Sequence, residues 1–157
     1  MTVDEKMTTT INKIHLLGAH HYSRLSKAMR HKVGAFIVTK HGVIVPGYNG
    51  TPSGWDNNCE DEVNGVLVTK PEVIHAELNA ILKCAKEGIS CLDARLYVTL
   101  SPCVPCSAMI ANAGIREVFY GEEYRDSAGV DNLTQHGLKC TFIDLSEIIN
   151  EFETRVS

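Results

Sequence analysis

The chain has 157 residues, 44% hydrophobic and 22% charged, with a formal net charge of −4, the profile of one globular domain over residues 1–157 with a single core. No apolar run nears the roughly 20 residues of a membrane helix, and lysines and arginines are scattered among acids. The basic stripe of a protein that grips long nucleic acid is therefore missing, so the expected partner is a small molecule, with neither nucleic acid nor membrane.

The N-terminal "MTVDEKMTTTINK" lacks the apolar centre of a secretory signal, which makes a cytoplasmic location the expectation. Residues 11 to 28 carry Ile14, Leu17, His21, Leu25 and Ala28 at three- and four-residue steps, which predicts an amphipathic helix. "VGAFIV" (33–38) and "VIVPGY" (43–48) read as a β-hairpin, the first strand buried on both faces and the second placed at an edge or bulge by Pro46. "GYNGTPSGWDNN" (47–58) is a loop by composition, and 59–73 reads as irregular.

From there the pattern alternates. A helix is expected over about 75–87, stopped by Gly88; a strand over 95–100; a helix over 104–113, stopped by Gly114; and a strand over 116–121. A short strand from 139 and a final helix to about 153 complete the chain. Helix and strand in alternation with short links imply parallel strands. Joined to the hairpin, they give an α/β fold with one mixed sheet between two helical layers.

Six cysteines are present, and in a chain with an ordinary core and no signal they read as thiols or metal ligands rather than disulfides. Cys59, Cys84, Cys91 and Cys140 are most simply small apolar residues. Cys103 and Cys106 differ: they form Pro-Cys-x-x-Cys after a strand and at a helix start, where amides and dipole lower a thiol pKa. The spacing alone also suits a redox dithiol.

His75, 28 residues upstream at another helix start, favours a metal. Two thiolates and one imidazole suit tetrahedral Zn²⁺ with the fourth position free, the composition of a catalytic rather than a structural site. Glu77 lies two residues on, and on a regular helix such residues do not face each other. If His75 sits in a half-helical first turn, both side chains converge beyond the helix end, and Glu77 becomes a base beside an activated water. Taken alone, His-Ala-Glu is a plain helix start.

At these residues the chain resembles the cytidine deaminase superfamily, and within it the deoxycytidylate (dCMP) deaminases. "GYNGTPSG", "HAELNAI", "LYVTLSPCVPC" and "ANAGIREVFY" match that family's blocks in order, from about Ser26 to Phe142. The resemblance implies a three-layer α/β/α fold with a five-stranded mixed sheet. It implies hydrolysis of dCMP to dUMP and ammonia, supplying thymidylate synthesis, with one catalytic Zn²⁺ on His75, Cys103 and Cys106 and Glu77 as proton carrier. The water that zinc activates would attack C4 of the base.

Asn49 matches the family asparagine that contacts the nucleoside; its alternative is an Asn-Gly turn serving only the backbone. Ser26, Arg30, Tyr124 and Arg125 are candidates for the substrate phosphate. The family's habits further suggest a hexamer, activated by dCTP and inhibited by dTTP, with Mg²⁺ accompanying the triphosphate and Gly47, Asn49 and Gly50 in the effector loop. Some phage relatives hold a second, structural zinc, but "SKAM" and "EVI" stand here where its ligands would be, so one zinc per chain is expected. The alternatives are a zinc deaminase of another base, nucleoside or tRNA adenosine, a non-catalytic zinc module that binds nucleotides, and a redox dithiol protein.

Overall fold

The computed structural model describes residues 1–153. Its first helix, α1 (Val3–Ser23), starts well before the expected residue 11 and stops before 28. Thr2 and Glu5 explain the start. The Glu5 amide donates to Thr2 Oγ1 at 3.1 Å and the Thr2 amide to Glu5 Oε2 at 2.7 Å, a reciprocal capping box. The buried face is also different: Asn12, Leu16, Ala19 and Ser23 turn inward, whereas Ile14 and Leu25 are about half exposed. Asn12 is drawn in by a polar partner, since buried Tyr97 donates its hydroxyl to Asn12 Oδ1 at 2.6 Å.

The main sheet comprises β1 (Gly34–Val38), β2 (Ile44–Tyr48), β5 (Arg95–Leu100), β6 (Glu117–Glu122) and β7 (Lys139–Phe142), in the order β2-β1-β5-β6-β7. β1 pairs antiparallel with β2 and β5, whereas β5, β6 and β7 run parallel, giving the expected mixed sheet. β1 is buried throughout, and β2 lies at the edge, where Pro46 has no ladder bond to lose. One face packs on α2 (Ala76–Glu87), α3 (Val104–Asn112) and α4 (Ala128–Gln135) through Ala80, Ile110 and Leu133. The other packs on α1 and α5 (Leu145–Glu153) through Leu16, Phe36, Tyr97 and Ile148. Among the described residues no helix is long and apolar enough to cross a membrane.

Two elements depart from the sequence reading. Residues 59–73 are not irregular throughout: β3 (Glu60–Val63) and β4 (Val66–Thr69) form a separate antiparallel hairpin. Its turn is Asn64-Gly65, with φ of 51° and 77°, the left-handed pair a two-residue hairpin turn requires. Helix α4, for which the sequence reading had no element, is seated by buried Leu133 and by Gly129 against the backbone of Pro102.

Candidate active site

Two chain reversals build the site, each where an extended residue precedes a helix. His75 is the N-cap of α2 (φ −67°, ψ 155°) and Cys103 the N-cap of α3 (φ −76°, ψ 169°). Neither side chain caps its own helix, although Ser, Thr, Asp or Asn in that position would stabilise it by about 1 kcal/mol. Both are thereby free to point past the helix end. Cys106, two residues beyond Val104, lies in the first turn of α3 and turns back to the same point.

The start of α2 is held from below. Gly50 and Ile74 exchange backbone hydrogen bonds of 3.1 and 2.8 Å, the Asn79 amide donates to the His75 carbonyl at 2.9 Å, and Asn79 Nδ2 donates to the Tyr48 carbonyl at 2.8 Å. Gly47 permits the close approach. A Cβ there would stand 2.5 Å from the Ala76 carbonyl oxygen and 2.7 Å from the Ala80 nitrogen.

His75 Nδ1 lies 3.5 Å from Cys103 Sγ and 3.4 Å from Cys106 Sγ. Tetrahedral zinc with ordinary bond lengths places a nitrogen and a sulfur ligand about 3.6 Å apart, so the spacing fits that ion. Among the described residues this is the group of three such side chains whose donor atoms lie within 4.8 Å of one another. The two sulfurs act as a coupled pair. The Cys106 and His75 hydrogen bonds pull the Cys103 thiol down to about 4, while its bond to Cys103 and burial push the Cys106 thiol up. The imidazole is raised, chiefly by Cys103. A dication held here would take both sulfurs as thiolates.

Glu77 is only 4% exposed, and burial raises its carboxyl above the usual range, with smaller opposing contributions from the backbone and His75. The half-helical turn expected of His75 is observed, and it lets residues 75 and 77 share one cavity of about 150 Å³. Cys103, Asn49, Arg30 and Tyr124 line that cavity as well.

The other candidates fall in varied places. Asn49 is committed to the backbone on both sides of its amide: Oδ1 accepts from the Val33 amide at 2.9 Å and Nδ2 donates to the His31 carbonyl at 2.7 Å. Arg30 Nη1 donates to Thr69 Oγ1 at 3.3 Å, and the Tyr124 amide donates to Ser101 Oγ at 2.7 Å. Ser26 does not reach the cavity. It is 1% exposed, donating to the Asn49 carbonyl at 2.9 Å and accepting from the Ala28 amide at 3.2 Å. Arg125 is exposed and outside the cavity wall. Gly47, Asn49 and Gly50 border a second, more polar cavity of about 510 Å³, together with Lys27 and Lys83.

Of the polar wall residues, His31, Glu60, Thr69 and Ser101 were not foreseen. Glu60 stands in an acidic run with no ligand spacing, and the hairpin that presents it was not recognised, although Asn64-Gly65 signalled its turn. The remaining cysteines are free thiols. Burial raises Cys59 and Cys140 and pushes Cys84 up to about 12, as small apolar residues require.

Comparison with known proteins agrees with this geometry. Residues 9–122 match the family model described as the cytidine and deoxycytidylate deaminase zinc-binding region. The chain is 36% identical over 148 residues to ComE operon protein 2 of Bacillus subtilis, covering 92% of this chain and 77% of that one. It is 42% identical over 112 residues to human deoxycytidylate deaminase, covering 65% and 60%. Among solved structures, the dCMP deaminase of cyanophage S-TIM5 in complex with dCMP and dUMP superposes with a TM-score of 0.77 at 41% identity, over 91% of this chain and 99% of the other.

Proposed function

The chain belongs to the cytidine and deoxycytidylate deaminase family of zinc-dependent hydrolases, and from that membership we propose that it converts dCMP and water to dUMP and ammonia. One observation carries the substrate assignment: the likeness, over nine-tenths of this chain, to a cyanophage enzyme solved with dCMP and dUMP.

In this reading His75, Cys103 and Cys106 hold the ion. Zinc, when bound, supplies a Lewis acid that lowers the pKa of a water molecule from 15.7 to roughly 7. Glu77 serves as the proton carrier. It accepts a proton from the attacking water, passes it to N3 of the ring, and later delivers one to the amino group as that leaves from C4. Burial suits the task, because a carboxyl held above its usual range keeps a proton more readily once it has taken one. The N-termini of α2 and α3 converge here, and their positive ends offset the charge of two thiolates.

Arg30 and Tyr124, in the wall of the same cavity, are our choice for the substrate phosphate, with exposed Arg125 beside them. Ser26 supports from beneath, and Asn49 shapes the wall that faces the sugar. For regulation we propose that the 47–59 loop and its cavity receive dCTP or dTTP with Mg²⁺ in a hexamer, with Lys27 and Lys83 offering charge to phosphates. The physiological role would then be the supply of dUMP for thymidylate synthesis.

Ammonia release from dCMP, deoxycytidine and dCTP, measured with zinc content, tests the assignment. We expect dCMP to be preferred at one zinc per chain. Turnover of deoxycytidine but not dCMP would overturn the phosphate residues, and two zinc ions per chain would overturn the single site. Absence of dCTP and dTTP binding at millimolar concentration would reject the effector loop.

A further inference from the structure

Glu60 opens the β3–β4 hairpin, outside the main sheet, and is 4% exposed. Its Oε1 accepts from the Met29 amide at 2.9 Å and the Arg30 amide at 3.2 Å. Its Oε2 is also buried and has no hydrogen-bond partner among the described residues. Leaving a buried carboxylate oxygen unserved is costly. A brace for two amides needs only one oxygen, which a glutamine would supply equally well. Glu60 also lines the cavity shared by His75, Glu77 and Cys103, and the terminal torsion of a glutamate is soft. A donor entering that cavity can therefore engage the second oxygen after little rotation.

We infer that Glu60 accepts a hydrogen bond from the 3′-hydroxyl of the substrate sugar and so selects for an intact deoxyribose; this rests on the dCMP reading above. The chemistry of the substrate leaves few choices. dCMP carries two kinds of donor, its exocyclic amine and its 3′-hydroxyl. The amine is attached to the carbon under attack and belongs at the Glu77 end of the cavity. O2, N3 and the phosphate are acceptors, which a carboxylate repels. The hydroxyl is the group that remains. Asn49, in the same wall, has already engaged its carbonyl with Val33 and its amide nitrogen with His31. Glu60 thus retains an unserved acceptor, and its bond to a hydroxyl would be charge-assisted.

The test compares dCMP with 2′,3′-dideoxycytidine monophosphate as substrates for the zinc-loaded protein and its Glu60→Gln and Glu60→Ala variants. Wild type is expected to prefer dCMP in kcat/KM by about 10- to 150-fold, the range for a hydrogen bond to a charged acceptor. Glu60→Gln should narrow that preference by slowing dCMP turnover more than dideoxy turnover, whereas Glu60→Ala also releases the Met29 and Arg30 amides and should slow both substrates while still narrowing the preference. Glu60→Gln keeps the brace to Met29 and Arg30, so it decides the matter if Glu60→Ala fails to fold. Equal losses on both substrates in Glu60→Gln, or a wild type indifferent to the missing hydroxyl, would overturn the inference and leave dCMP deamination standing. A wild type inactive on dCMP would remove both.

Discussion

Gly47→Ala probes how strictly the site depends on the seating of α2. Gly47 lies buried in β2 under the first turn of the helix, and an added Cβ would come 2.5 Å from the Ala76 carbonyl oxygen, where ordinary contact begins at 3.4 Å. Both nearest atoms are backbone, so no side chain can swing aside. The first turn must lift by about 0.9 Å, an overpacking that costs roughly 1–3 kcal/mol. In a domain of this size that lowers Tm by roughly 2–12 °C. The same movement carries His75 and Glu77 away from Cys103 and Cys106, and a misplacement of about 1 Å costs on the order of 100-fold in rate. Thermal melts, zinc content and kcat/KM on dCMP measure the three effects together. A variant with unchanged Tm, full zinc and wild-type turnover would show that the helix start is not set by this contact. A variant that lost only its response to dCTP or dTTP would return Gly47 to an effector role alone.

Glu77→Gln preserves shape and burial, so zinc content should stay at the wild-type level while kcat/KM falls by about 10²- to 10⁴-fold, the usual contribution of a positioned proton carrier; loss of zinc with loss of rate would make Glu77 a ligand instead. Ser26→Ala removes a buried hydroxyl that joins residues 26–28 to Asn49, which should lower stability by about 1–3 kcal/mol in urea titrations and leave KM for dCMP unchanged; a raised KM at intact stability would restore Ser26 to the phosphate. His15→Gln addresses acid sensitivity, because burial and then Arg95 hold the His15 imidazole below its ordinary 6.5. The unfolded chain therefore takes up that proton first, and the stability His15 contributes, present above about 6.5, is lost as pH falls through its folded value. Urea midpoints of chelated protein at pH 7.5 and 5.5 should differ less in the variant than in wild type; an identical loss in both would exclude His15.

The fold was legible where local signals and tertiary packing agree. Gly88 ended α2 with φ of 67°, Pro46 marked an edge strand, and the alternation from residue 75 to 121 implied the parallel pairing of β5 with β6. It was illegible where one signal outweighed another. The apolar steps from Ile14 to Ala28 suggested a helix running past Ser23, but the inward face follows Asn12, Leu16 and Ala19, and a polar residue cannot show by hydrophobicity that Tyr97 will bury it. The acidic β3 concealed a hairpin, although Asn64-Gly65 was the correct turn signal.

The site divides along the same physical line. His75, Cys103 and Cys106 each sit at the N-cap or in the first turn of a helix entered from extended backbone, and such a helix start is a local event written in a few residues. The two helix starts bring the three donor atoms within 4.8 Å of one another, so spacing and local context were enough to anticipate the set. The walls obey no local rule. Arg30, Asn49, Glu60 and Thr69 meet through contacts such as the Met29 amide on Glu60 and the Arg30 guanidinium on Thr69, which link segments about 30 and 39 positions apart. The family resemblance pointed to Arg30 and Asn49, but Glu60 and Thr69 have no pattern to distinguish them from solvated polar groups. Chemistry common to a family can thus reside in short motifs, whereas the groups that choose the substrate depend on how distant loops close over it. Substitution at Glu60 should accordingly shift substrate preference, and substitution at Cys103 should abolish turnover of every substrate.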